Sequence, residues 1–216
     1  MFVSFFCYNI IGDKMNNGIK YPNGKVSYTN TIKKKSINLK KSHLGIDFES
    51  AINDSNAYYL QNNIAAIYKK PTPIQIVKVD YPSRNKARIV EAYYRTPSTT
   101  DYNGIYKGFY IDFEAKSCHT TSFSFKHIYL HQIKHLETVM QMGGISFLII
   151  EFSEKKEIFI LPTKLFIEKY HESLNGGRKS IPYEYFKTNG ILINYGYAPT
   201  IDYLKAVDIL IRKQNN

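Results

Sequence analysis

Residues 99–116 read Thr-Thr-Asp-Tyr-Asn-Gly-Ile-Tyr-Lys-Gly-Phe-Tyr-Ile-Asp-Phe-Glu-Ala-Lys, and three of them are equipped for chemistry: Asp101, Glu114 and Lys116. Side chains alternate along a strand, so Phe109, Ile111, Phe113 and Ala115 share one face while Asp112, Glu114 and Lys116 share the other. A two-residue turn at Lys107-Gly108 sets Asp101 opposite Glu114, Asn103 opposite Asp112 and Thr99 opposite Lys116. Directly opposed Cβ atoms lie about 5 Å apart, where facing carboxylates repel. A shared divalent cation removes that repulsion. Asn103-Gly104 is a rival turn of stronger type, and turning there would separate Asp101 from Glu114. The reading adopted keeps the turn at 107–108 and takes Gly104 as a bulge. Taken as bare spacing, the same residues also fit the solvated polar face of an amphipathic hairpin.

The chemistry that suits this trio is phosphodiester hydrolysis. A hard cation such as Mg²⁺ takes oxygen ligands and keeps several waters. It polarises a phosphoryl oxygen and lowers the pKa of water. A lysine two residues beyond the glutamate shares its face and can stabilise charge gained in the transition state. Asp, twelve residues, then Glu-x-Lys is the PD-(D/E)xK nuclease pattern.

Longer blocks occur in order around it: Tyr21-Pro22-Asn23-Gly24-Lys25, Lys69-Lys70-Pro71-Thr72-Pro73-Ile74-Gln75-Ile76-Val77, Pro97-Ser98-Thr99-Thr100-Asp101-Tyr102-Asn103-Gly104, Tyr110-Ile111-Asp112-Phe113-Glu114-Ala115-Lys116, His131-Gln132-Ile133 and Gly196-Tyr197-Ala198-Pro199. From about Tyr21 onward the chain resembles the RecU family of Holliday junction resolvases. The resemblance implies an α/β fold of restriction-endonuclease type: a mixed sheet flanked by helices, with a protruding basic stalk. It implies a structure-specific endonuclease that resolves junctions by paired, symmetric cuts in recombination and repair. It also implies Mg²⁺ (or Mn²⁺) held by Thr99, Asp101, Glu114 and Gln132, with Lys116 as the transition-state lysine. Four-way junction DNA, a RecA-type recombinase and a second copy of the chain are the implied partners. A non-catalytic junction-binding modulator of the recombinase is the alternative, and a broken acidic constellation would mark it. Ser42-His43-Leu44-Gly45-Ile46 departs from the family pattern, which carries an arginine there.

The bulk numbers agree with a polyanion partner. The chain has 216 residues, with 29 Lys and Arg against 18 Asp and Glu, a formal charge of +11. Such a surplus favours salt-dependent binding to nucleic acid. Two cysteines, Cys7 and Cys118, make no disulfide framework. The apolar run at residues 1–11 is too short to span a bilayer and lacks a basic lead, so a cytoplasmic protein without a membrane anchor is expected.

Along the chain, residues 1–43 read as a flexible basic arm and 44–216 as a single nuclease domain. Helix is expected over 45–61, with Phe48, Ala51, Ile52, Ser55 and Tyr59 inward; Glu49 on it is a candidate auxiliary group. Residues 69–97 read as the stalk insertion, with Lys69, Lys70, Lys78, Arg84, Lys86 and Arg88 as candidate DNA contacts. Helix is expected over 127–142, closed by Gly143-Gly144, and an apolar strand buried on both faces over 145–152. Strand 157–161 should pair with it. Thr163 should cap a helix running to about 171. Arg178 and Lys179 sit in a glycine-rich loop suited to a phosphate, and 201–212 reads as a last helix.

Overall fold

The computed structural model describes residues 19–20, 26–27, 47–83, 86–95 and 99–215. Most of the expected arm at 1–43 and Arg84 of the stalk lie outside the described residues. The chain divides into two compact units, Met1–Leu44 and Gly45–Asn216. In the first, β1 (Ile19–Lys20) pairs antiparallel with β2 (Val26–Ser27).

The second unit runs α1 (Phe48–Gln61), β3 (Ala66–Lys69), β4 (Ile74–Asp80), β5 (Arg88–Tyr94), β6 (Tyr102–Tyr106), β7 (Phe109–Cys118), β8 (Ser122–Ser124), α2 (Leu130–Gln141), β9 (Ile145–Phe152), β10 (Glu157–Pro162), α3 (Thr163–Leu174), β11 (Ser180–Pro182), α4 (Tyr183–Asn189), β12 (Ile191–Ile193) and α5 (Leu204–Asn215). Six strands form one sheet in the order β12-β10-β9-β7-β6-β3. β7 and β9 are parallel and the other neighbours antiparallel, so the sheet is mixed. Helices cover both faces, as expected. On one face α1 and α5 pack on Ile111, Phe113, Phe147 and Ile149. On the other, α2, α3 and α4 pack on Leu148, Ile150, Phe159 and Leu161. This two-sided cover is why β9 is an almost unbroken apolar run. Phe48, Ala51, Ile52, Ser55 and Tyr59 of α1 are all buried, the stripe that a 3.6-residue period places on one side.

The hairpin β6–β7 turns at Lys107-Gly108, both in the left-handed region at φ 50° and 83°. Tyr102 pairs with Phe113 and Asn103 with Asp112. The rings of Tyr102, Phe113 and Phe147 stack in succession across three strands, at centroid distances of 4.8 and 5.0 Å, which pins the register. Gly104 is not a bulge: it pairs with Ile111 on one side and Ile67 on the other without a shift. A Cβ there would lie 2.1 Å from the Ala66 carbonyl oxygen, so the glycine serves close approach of β3.

The insertion at 69–97 contains a separate two-stranded hairpin, β4–β5, with irregular register around Lys78. Ile74, Ile76, Val77, Ile89, Val90, Tyr93 and Tyr94 are exposed on it, so its surface is as apolar as it is basic. Two local expectations are corrected. The helix expected from 127 starts at Leu130, because a Ser124-capped 3-10 turn takes Phe125–His127 and Ile128 is extended. The N-cap of α3 is Pro162; Thr163 is the first helical residue, and its hydroxyl accepts from Ser146 at 2.8 Å. Among the described residues no helix is long and apolar enough to cross a membrane.

Candidate active site

The site is assembled on the β6–β7 hairpin under α2. β7 presents Asp112, Glu114 and Lys116 to the α2 side because they alternate with Ile111 and Phe113, which face the opposite core. Asp101 stands one residue before β6, and its backbone N–H donates to Glu114 Oε2 at 3.1 Å. The Lys116 ammonium lies between the two carboxylates, 2.5 Å from Glu114 Oε1 and 3.6 Å from Asp101 Oδ2. From α2, Gln132 Nε2 donates to Glu114 Oε1 at 2.7 Å. The other end of the same amide accepts from the Tyr129 N–H at 3.0 Å, capping the helix start. Gln132 thus fixes Glu114 and the beginning of α2 at once.

The electrostatics are those of a bay with surplus negative charge. Glu114 is wholly buried, while the Asp101 side chain is 37% exposed. Burial, countered in part by Lys116 and reinforced by Asp101, pushes the Glu114 carboxyl up to about 7. Burial works against the Lys116 charge, but Glu114 and Asp101 outweigh it and hold the ammonium above the usual lysine range. One ammonium faces two carboxylates, which is the donor set a hard divalent cation would balance. Among the described residues no three His, Cys, Asp or Glu side chains converge on a metal; oxygen from neutral groups, solvent or phosphate would complete the set. Beyond Lys116 an open cleft of about 610 Å³ is walled by Ser117, His119, Lys126, His127 and Tyr129.

The remaining predicted residues lie as follows. Thr99 is half-buried and its hydroxyl donates to the Thr100 carbonyl at 3.4 Å. Glu49 forms an exposed ion pair with Lys69. Lys78 and Lys86 are exposed on the inserted hairpin, and Arg88 donates twice to Asp80, at 3.0 and 3.1 Å. Arg178 Nε donates to Ser180 Oγ at 3.2 Å, and Lys179 to the Ser173 carbonyl. Lys70 turns inward, to Thr100 and Asp112.

Sequence reasoning gave no role to Asp112, Thr100 or Tyr110. Asp112 is wholly buried and meets Lys70 Nζ at 2.9 Å, Tyr110 Oη at 2.9 Å, His135 Nε2 at 3.0 Å and the Thr100 hydroxyl. The available signal was its place on the face of Glu114, one alternation earlier.

The model of the family Recombination protein U (RecU) matches residues 43–209. This chain belongs to that family. Among RecU relatives, Holliday junction resolvase RecU of Bacillus cytotoxicus is 45% identical over 196 residues, covering 89% of this chain and 98% of the relative. The same-named protein of Bacillus mycoides is 47% identical over 194 residues, covering 88% and 96%. Among solved structures, the Holliday junction resolvase Hjc of Archaeoglobus fulgidus is similar at a TM-score of 0.37 and 11% identity, over 61% of this chain and 85% of that one. The RecU relatives carry the family assignment, and they match nearly end to end.

Proposed function

We propose that this RecU-family chain is a structure-specific endonuclease that resolves Holliday junctions by hydrolysing phosphodiester bonds in opposed strands. The observation that carries the reading is the Asp101–Lys116–Glu114 bay, one ammonium between two carboxylates, in a chain that aligns with the junction resolvases over nearly their whole length. Asp101 and Glu114 would hold the divalent cation, Mg²⁺ or Mn²⁺, with Thr99 and Gln132 as the remaining candidates for its surroundings. Such a cation supplies Lewis-acid polarisation of the phosphoryl group and a lower pKa for water.

The residues of the chain do the rest. Lys116 donates to a non-bridging oxygen as water attacks phosphorus in line, offsetting the negative charge that grows there. The bond from phosphorus to the leaving oxygen breaks, and the leaving oxygen takes up a proton. Gln132 holds Glu114 so that no reorientation is needed during the reaction. The cleft beyond Lys116, with Lys126, His119 and His127 in its walls, suits the phosphates next to the cut. Lys69, Lys78, Arg84, Lys86, Arg88, Arg178 and Lys179 are the candidates for more distant phosphates. Glu49, paired with Lys69, is the candidate auxiliary group.

Two symmetric cuts call for two sites related by a two-fold axis, so a homodimer is part of the reading. A RecA-type recombinase is the proposed partner, and a DNA substrate of this kind carries a cytoplasmic location. The test is a synthetic four-way junction incubated with purified protein and Mg²⁺. Paired nicks near the crossover, absent with EDTA and absent for Asp101→Ala, support the reading. Wild-type protein that binds the junction and leaves it intact under all divalent ions would favour the non-catalytic modulator.

A further inference from the structure

The inserted hairpin leaves the sheet after Lys70 and returns at Thr100, and these two feet are joined by their side chains. Lys70 Nζ donates to Thr100 Oγ1 at 3.0 Å, and both donate to the buried Asp112 of β7. Lys70 also ties in through its backbone, whose N–H donates to the Asp101 carbonyl at 2.7 Å. Asp101 needs such a tie. It stands one residue before β6, which begins at Tyr102, at the very end of the strand pairing. The long excursion through 71–99 must be closed at its base against chain entropy. Asp112 is the group that closes it, with Tyr110 of β7 and His135 of α2 facing it from the other sides. His135 and Gln132 are three apart on α2, so one helix face grips both Asp112 and Glu114.

We infer that Lys70, Thr100 and Asp112 form a clasp across the feet of the hairpin, and that this clasp positions Asp101 to share a cation with Glu114. The inference rests on the proposed cation site and assigns positioning roles to residues outside it. Lys70, read from sequence as a DNA contact, spends its ammonium inside: it is 18% exposed and Asp112 is wholly buried. Groups that orient metal ligands typically govern affinity by 10- to 100-fold.

The test uses the full chain without DNA. Mn²⁺ affinity is measured by calorimetry for wild type, Lys70→Met, Lys70→Arg and Asp112→Asn. Junction affinity and thermal midpoint are measured in EDTA alongside. Lys70→Met should weaken Mn²⁺ binding roughly 10- to 100-fold and leave junction affinity unchanged. Lys70→Arg, which keeps charge and donors, should recover most of the loss. In cleavage, the Mn²⁺ concentration giving half-maximal rate should rise by the same factor. A merely structural role would lower the thermal midpoint and leave Mn²⁺ affinity at the wild-type value, and that result overturns the clasp. Weaker junction binding with unaltered Mn²⁺ affinity assigns Lys70 to DNA and also overturns it. Should Asp112→Asn fail to fold, the Lys70 pair decides alone. Wild-type protein that binds no Mn²⁺ would sink the cation reading itself, an outcome separate from a variant that matches wild type.

Discussion

Asp112 and Glu114 sit two residues apart on one strand, point to the same side and are both wholly buried. Their surroundings differ in charge balance. Asp112 has the Lys70 ammonium to itself, with His135, Tyr110 and Thr100 closing round it. Glu114 shares the Lys116 ammonium with Asp101, and Lys116 itself lines an open cleft. A buried carboxylate with a full set of donors is an anchor. A buried carboxylate that must share its counter-charge is a place where a cation gains by binding. Equal burial therefore does not mean equal role; the number of positive charges per carboxylate separates the two.

The comparison breaks most readily at the shared-charge site. Asp101→Ala should drop junction cleavage below detection while junction binding in EDTA persists. Lys116→Ala should cost roughly 10²–10³-fold in rate, read as single-turnover nicking at saturating Mg²⁺. Retained cleavage in either variant would remove the bay from the chemistry.

Stability sharpens the contrast next. Asp112→Ala leaves Lys70 partly buried without its partner and should cost about 3–5 kcal/mol in urea unfolding. Glu114→Gln should stabilise the cation-free protein above neutral pH, since it removes a carboxylate whose ionisation the fold opposes. Two losses of similar size would show the sites to be alike.

The pH dependence follows from Glu114. Its carboxyl is raised from 4.5 to about 7 by folding, so the native state holds that proton more tightly than the unfolded chain. This contribution to stability is present at low pH and declines as pH rises from about 4.5 to 7. In EDTA the thermal midpoint of wild type should fall over that window relative to Glu114→Gln. Saturating Mg²⁺ should raise the midpoint more at pH 7.5 than at pH 5. A flat difference between the two proteins would contradict the raised carboxyl.

The smallest effect is a control that touches both sites equally. Gly108→Ala places a Cβ at φ 83° and should cost about 1 kcal/mol. Both carboxylates ride on the strand it starts, so the ratio of their mutant effects should stay as in wild type.

Much of this was legible before folding was considered. Alternation in Phe109–Lys116 fixed which residues share a face, and the Lys-Gly turn fixed Asp101 opposite Glu114, because strand pleat and hairpin register are local rules. The ordered motifs gave the family. The strand at 145–152 was plain from its unbroken apolar run, since only a doubly covered strand reads that way. Local pattern falls short where a distant group intervenes. Gly104 reads as a bulge because nothing in the sequence announces that the backbone of Ala66 presses against it. The inward bond of Lys70, expected as a DNA contact, is to Asp112, 42 positions away, and has no local signature. The raised Glu114 carboxyl and the four-sided enclosure of Asp112 belong to the tertiary structure alone. Burial and counter-charge are set by whatever elements the fold stacks above a strand, and no local pattern carries that information.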